Sequence, residues 1–278
     1  MLELTGIASV LRGISILYWL VAVSALALVL WKVKSWWGKA IGAVIVAAVF
    51  GYLPAQELIE VSKREAYARE AWAYFRKKCE TESAEKIYRA YTGVKSVLVV
   101  KPLPPATDKD HYDQFWYGDP YSASATSERA MSASSILTLN SRRPSGVQKG
   151  LDFVEIKNQS GEGYVRITRP PSNDKIAGRE NIQTPKSRFG VSWEDISKPE
   201  DRRYWVAGSR LRVIDLKDNS IVAERIGFFI ESGFGSTAGG RRPWLASRGP
   251  STTCPPLLGG DYSDNWFITT VFKQDGEN

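Results

Sequence analysis

Gly13-Ile-Ser-Ile-Leu-Tyr-Trp-Leu-Val-Ala-Val-Ser-Ala-Leu-Ala-Leu-Val-Leu-Trp31 runs for nineteen residues without a charge. As an α-helix, at ~1.5 Å per residue, it reaches ~28 Å, the thickness of a bilayer's hydrocarbon core. It has no polar face, so it does not read as the core helix of a soluble domain. It ends in Trp31-Lys32 and not in a small-residue cleavage site, which makes it an uncleaved anchor rather than a secretory signal. Working outward, Ala40 to Gln56 is a second uncharged stretch of seventeen residues, at the short end of the spanning range. Between the two lie Lys32, Lys34 and Lys39 with Trp31, Trp36 and Trp37, the residue types that settle at a lipid–water boundary.

The fold class that follows is a membrane-anchored α+β protein. Two N-terminal transmembrane helices (about 13–31 and 40–56, within an anchor of residues 1–56) lead into a stalk helix over 57–91. A mainly antiparallel, β-rich soluble domain then occupies 92–278. Orientation is contested. The lysine connection favours the cytoplasm, while Lys63, Arg64, Arg69, Arg76, Lys77 and Lys78 pull the other way after the second segment. The short, nearly neutral N-terminal tail is cheap to export. The expectation is therefore a bacterial inner-membrane protein with its large domain in the periplasm.

Composition narrows the function classes. The 278 residues carry a net charge of +7. Arg12, Lys32, Lys34 and Lys39 belong to the anchor against Glu3 alone, so the remainder holds 33 basic and 29 acidic residues, well interspersed. That lacks the dense basic stripe of a nucleic-acid binder. Two cysteines and one histidine cannot furnish four structural zinc ligands, and no iron–sulfur or haem-attachment pattern occurs. The sequence asks for no metal and no cofactor. Cys79 and Cys254 either close one disulfide in an oxidising compartment or are two unrelated thiols; an exported domain calls for the disulfide.

Past the membrane, Leu58, Val61, Ala68, Trp72, Phe75 and Cys79 recur at spacings of three and four, with Glu65 interrupting the seam. The seam serves either a dimerising coiled coil or a helix packed on its own domain. Strands follow at Val94–Lys101, Phe153–Lys157 and Gly163–Thr168. The clearest hairpin runs from Tyr204 to Ile230 and turns at Lys217-Asp218-Asn219-Ser220, where Asp and Asn tolerate left-handed backbone. Ser197-Lys198-Pro199-Glu200 fits a capping box opening one short helix. Asn265–Phe272 reads as a closing strand.

Three residue groups bear on chemistry. Asp108-Lys-Asp110-His111-Tyr112-Asp113 gathers carboxylates beside the one imidazole, as a general base or hard-cation site requires. It lacks the regular spacing and glycine turn of a calcium loop, and a polar loop whose aromatics tuck onto the core explains it more simply. Gly233-Phe-Gly235 to Gly239-Gly240-Arg241-Arg242-Pro243-Trp244 lacks the Gly-Lys-Ser/Thr of a phosphate loop, yet Arg241 and Arg242 suit a carboxylate-bearing partner. Glu194 and Asp195 are adjacent on a strand and point to opposite faces, so they do not form a catalytic pair.

Several phrases carry a resemblance: Asp113-Gln-Phe-Trp-Tyr-Gly-Asp-Pro120, Arg188-Phe-Gly-Val-Ser-Trp-Glu-Asp-Ile-Ser197, Pro199-Glu-Asp-Arg-Arg-Tyr-Trp-Val-Ala-Gly208, Ala223-Glu-Arg-Ile-Gly227, Gly239-Gly-Arg-Arg-Pro-Trp244 and Cys254-Pro255. Over roughly Cys79 to Pro256 the chain resembles uncharacterised proteobacterial membrane-anchored proteins associated with clusters encoding type VI secretion effectors. The resemblance implies an envelope protein, in the manner of an immunity protein, and carries no catalytic residue.

The function expected is non-enzymatic: a membrane-tethered protein that meets the lipid bilayer and another protein, a toxin or an envelope component. Homodimerisation through the stalk is a further option. Trp116, Tyr117, Trp193, Arg241, Arg242 and Trp244 are the expected partner-binding residues, because aromatic and arginine anchors framed by polar loops dominate interfaces. The competing readings are an envelope hydrolase using His111 with its aspartates, and a structural envelope component.

Overall fold

Uninterrupted runs of helix-forming apolar residues make the N-terminal part of the chain helical in the computed structural model. The structure describes residues 2–101, 107–116, 151–158, 162–168, 178–245, 249–256, 267–268 and 270–273, with residues 2–12 as backbone only. The chain divides into two compact units, 1–68 and 69–278.

In the first unit, α1 (Leu2–Lys32) packs antiparallel on the first part of α2 (Trp36–Glu82). Gly42 lies against Val29, where any Cβ would collide with the valine methyl, so the backbones approach closely as small residues allow. Tyr18 donates its hydroxyl to the carbonyl of Phe50 at 2.6 Å and sets its ring edge-on to Phe50. Both helices contain a window long and apolar enough to cross a membrane, and the window in α2 is wholly unburied. Apolar side chains cover the outside of the pair, and Trp31 and Trp36 are each 80% exposed at its turn.

α2 is one helix of 47 residues, about 70 Å at ~1.5 Å per residue. A span ending at 56 and a separate stalk were expected. No capping residue or glycine interrupts residues 54–60, and Pro54 removes only one backbone donor, so the helix continues. The stalk was also expected to reach Tyr91, but it stops at Glu82. Ala84–Ile87 (β1) is captured by the sheet instead, and Tyr91–Thr92 (β2) pairs with Phe272–Lys273 (β11). Ser83 and Thr81 close the end by donating to the carbonyls of Cys79 and Lys77.

The remaining strands are Ser96–Lys101 (β3), Phe153–Lys157 (β4), Tyr164–Thr168 (β5), Gly178–Ile182 (β6), Phe189–Asp195 (β7), Val206–Asp215 (β8), Ser220–Ile230 (β9) and Thr253–Cys254 (β10). They join β1 in a nine-stranded sheet of order β1-β9-β8-β7-β3-β4-β5-β6, with β10 on β9. The sheet is mixed: β3 is parallel to both β4 and β7, and its other pairings are antiparallel. The long connection from β3 to β4 meets the need of a parallel pair.

The predicted hairpin is β8–β9, and Asn219 adopts the left-handed backbone (φ 58°) its turn demands. Strand alternation sends Leu211 and Val213 to one face, where they form the main core with Val97, Val99, Val154, Val191 and Trp193. Phe267, Ile268 and Val271 cover that core from a helical turn, not from the strand expected over Asn265–Phe272. On the opposite face Val206, Phe228 and Ile230 receive Ala71 and Phe75 of α2. The seam's C-terminal half therefore packs on its own domain, whereas Leu58 and Val61 are exposed. Further along the same face Glu194, Arg210, Arg212 and Glu224 form a cross-strand charge ladder, with Arg212 donating to Glu224 at 2.8 Å.

Candidate binding site

At the end of the sheet where β8 starts and β9 stops, the chain leaves regular structure. Residues 231–245 follow β9, a short helix α3 (Pro199–Arg203) precedes β8, and residues 107–116 pack against both. The organising charge is Glu231, completely buried at the close of an apolar strand. Its carboxylate accepts the amides of Gly233 and Gly235 at 2.9 and 2.7 Å and pairs with Arg241. A buried carboxylate is tolerable only when satisfied this completely.

Above it Trp244 and Trp205 pack with ring centroids 5.0 Å apart, Phe229 adds a third ring, and the Arg202 guanidinium lies 5.1 Å over Trp244. Arg202 is held by Asp195 at 2.8 Å. Gly235, at φ 80°, presses its backbone onto the Trp205 ring. Of the three non-glycine residues with left-handed backbone among the described residues, Trp205 (φ 55°) and Phe234 (φ 49°) are both here. Each such residue costs about 1–3 kcal/mol, a cost structures retain where the surroundings over-determine it and often at functional sites.

Residues 107–116 are pinned on this base. Trp244 donates Nε1–H to the carbonyl of Asp113 at 2.6 Å. Gln114 donates to the carbonyls of Arg202 and Arg203, and Arg242 pairs with Asp108 at 2.9 Å. Asp110 accepts both the amide and the hydroxyl of Thr107, which hold its carboxyl below the usual carboxylate range. Asp113 accepts the amide of Phe115 at 2.9 Å. His111 is buried with its ring edge-on to Trp116. Burial pushes its pKa below the ordinary imidazole value and Arg242 lowers it further, against smaller opposing effects of Asp108 and Asp110. It is a buried residue packed on Trp116, not the accessible general base that the hydrolase reading requires.

The structure redistributes the six residues expected to meet a partner. Trp116, Trp193 and Trp244 are buried, the last two at 1% and 0% exposure, so they are not surface anchors. Trp193 belongs to the main core, and the other two brace the 107–116 segment. An apolar indole gains more from burial than from exposure, and strand position decides which one is covered. Arg241 is committed to Glu231. Arg242, paired with Asp108, remains partly exposed. Tyr117 lies outside the described residues, as does the Ser/Ala-rich stretch of sequence over 122–135, which was expected to form a loop. Sequence reasoning missed Tyr112 and Phe115, which are 44% and 55% exposed between the two buried anchors His111 and Trp116. Only the three-dimensional turn separates them from their buried neighbours. It also missed Glu231, whose signal was a lone carboxylate between Phe228-Phe-Ile230 and Ser232-Gly233.

A second polar cluster joins α2 to α3. Asp201, fully buried, accepts from Tyr74 at 2.5 Å, from the Lys198 amide at 2.7 Å and from Lys78 at 3.2 Å. Burial and then the Asp201 bond push the Tyr74 pKa up strongly. For Lys78, burial is the largest influence and lowers its pKa, but Glu82 and Asp201 outweigh it and the net shift is upward. Beside this cluster Cys79 and Cys254 are joined as a disulfide, Cα atoms 5.6 Å apart, tying α2 to β10. The chain matches no family model, no curated protein and no solved structure.

Proposed function

We propose that this chain is a membrane-tethered binding protein of the bacterial envelope, without chemistry of its own, whose soluble domain lies outside the cytoplasm and engages another protein. The observation that carries the reading is the outer surface of residues 13–31 of α1 and 40–53 of α2: exposed side chains that are mostly apolar, with no charged residue among them. Lipid is the solvent such a surface fits. Lys32, Lys34 and Lys39 at the helical turn favour the cytoplasmic side for that turn, and the Cys79–Cys254 disulfide suits an oxidising compartment. Binding is favoured over hydrolysis because His111 is sealed against Trp116 and the neighbouring Asp110 and Asp113 spend oxygens on local backbone amides. With the resemblance to proteins of secretion-effector clusters, the most concrete form of this reading is an immunity-like protein that protects its cell from a neighbour's toxin.

Reporter fusions test it. A reporter enzyme active only in the periplasm, fused after Asn278, is expected to be active, and the chain is expected to sediment with membranes. Activity of a cytoplasm-only reporter at that site reverses the orientation. Recovery of the chain in the soluble fraction ends the membrane reading.

A further inference from the structure

Residues 107–116 combine three features. Two large aromatic rings, Tyr112 and Phe115, stand in solvent three positions apart. The backbone carrying them is pinned from several sides, by Trp244 on Asp113, Gln114 on α3, Arg242 on Asp108 and the burial of His111 and Trp116. And the segment holds three carboxylates (Asp108, Asp110 and Asp113) against Lys109; with Asp108 paired to Arg242, Asp110 and Asp113 still outweigh Lys109, in a chain whose net charge is +7. Exposing two rings costs stability, and fixing them in one geometry removes the entropy that a partner otherwise has to overcome. Rigid aromatics ringed by polar groups have the anatomy of an interface hot spot.

The charge selects the partner. An aromatic face attracts cations, and neighbouring carboxylates strengthen that preference while repelling phosphates and acidic surfaces. We infer that Tyr112 and Phe115 form the docking surface of the soluble domain, and that they receive arginine or lysine side chains of a basic partner protein, with Asp113 beside them as countercharge. This inference rests on the binding-protein reading and names the site and partner chemistry within it. The strained Trp205 and Phe234 and the buried Glu231–Arg241 pair beneath the segment make the rigid base on which it is presented.

The test uses the full chain in mild detergent and three fluorescein-labelled octapeptides, repeats of Arg-Gly, Lys-Gly and Glu-Gly, read by fluorescence anisotropy. The Arg-Gly peptide is expected to bind most tightly and the Glu-Gly peptide not at all. Tyr112→Ala with Phe115→Ala is expected to weaken Arg-Gly binding about tenfold, as loss of two exposed cation–π contacts implies. Asp113→Asn is expected to weaken it less. Melting temperature should hold in the double variant, because both rings are exposed. Equal binding by wild type and double variant overturns the inference, and so does a preference for Glu-Gly or no binding of Arg-Gly. Sedimentation of both proteins covers the remaining occupant: a wild-type dimer that the double variant dissolves makes the surface a self-association site and also overturns the inference. None of these outcomes bears on membrane insertion or orientation, which the reporter fusions read independently.

Discussion

Pro54 has no N–H, so the carbonyl four residues earlier, that of Phe50, loses its helical donor. In water the loss is minor. On the proposed membrane reading it is not, because an unpaired carbonyl among apolar side chains and lipid has no substitute partner. The structure supplies one from the other helix: the Tyr18 hydroxyl, 2.6 Å away. Replacing Tyr18→Phe removes that donor and leaves the ring and its contact with Phe50 in place. A buried group left unsatisfied costs about 1–3 kcal/mol, and hydrogen bonds between transmembrane helices average nearer ~0.6 with a maximum near ~1.7 kcal/mol. We therefore expect the helical pair to lose about 1–1.5 kcal/mol, roughly tenfold in its closing equilibrium. The assay is energy transfer between dyes on Ile14→Cys and Leu53→Cys in detergent micelles, titrated with a denaturing detergent. The partner experiment is Pro54→Ala, which restores the Phe50 hydrogen bond within α2. In that background Tyr18→Phe should cost much less. If Tyr18→Phe costs the same with alanine at 54 as with proline, Tyr18 does not serve the orphaned carbonyl and the reasoning fails.

Three further outcomes are expected. Replacing Cys254→Ser with Cys79→Ala opens a loop of 175 residues and should cost about 4–5 kcal/mol on the chain-entropy account, lowering the melting temperature of the domain by roughly 10 °C or more; an unchanged melting temperature contradicts it. Because the folded pKa of His111 lies below its unfolded value near ~6.5, its contribution is fully present above that pH and is lost as pH falls through the lowered value; the melting temperature should drop between pH 7.5 and 5.5 more in wild type than in His111→Phe. Glu231→Gln leaves the Arg241 guanidinium without its countercharge and should cost about 3 kcal/mol in denaturant unfolding, with earlier amide exchange at Gly233 and Gly235.

How far the sequence could be read depended on whether the deciding interaction was local. The long apolar helix over Gly13–Trp31 and the β8–β9 hairpin were legible, since an uncharged run and an Asp-Asn turn act within a few residues of themselves. The end of α2 was not, because Ala84–Ile87 leaves the helix to pair with residues 223–226, more than a hundred positions away. The short helix α3 was predicted, but its start lies one residue later than the motif implied. Asp201 receives the Lys198 amide, while Ser197 bonds Asp195 and the Gly208 amide. Asn265–Phe272 looked like a strand because half of its residues are β-branched, yet Phe267, Ile268 and Val271 pack from a helical turn over the sheet and, among the described residues, only Phe272 enters a strand. For the site, the error lay in treating aromatics near loops as equivalent. Trp193 sits mid-strand on the core face and Phe115 sits beside a 3₁₀ turn on the solvent side, a distinction of facing that composition does not encode.

The bond between Cys79 and Cys254 also alters what a protease can do to this protein. It closes the covalent path of the domain into a ring whose single point of attachment to the N-terminal helices is Cys79. A chain without that bond releases everything beyond a cut. Here, any one cleavage between Glu80 and Thr253 only opens the ring, and both new ends stay covalently joined to the helices, one through the peptide backbone and one through sulfur. Shedding the domain takes a second cleavage or a reductant. A nicked molecule should therefore run as two fragments on a gel only after reduction, and until then remain where its helices hold it.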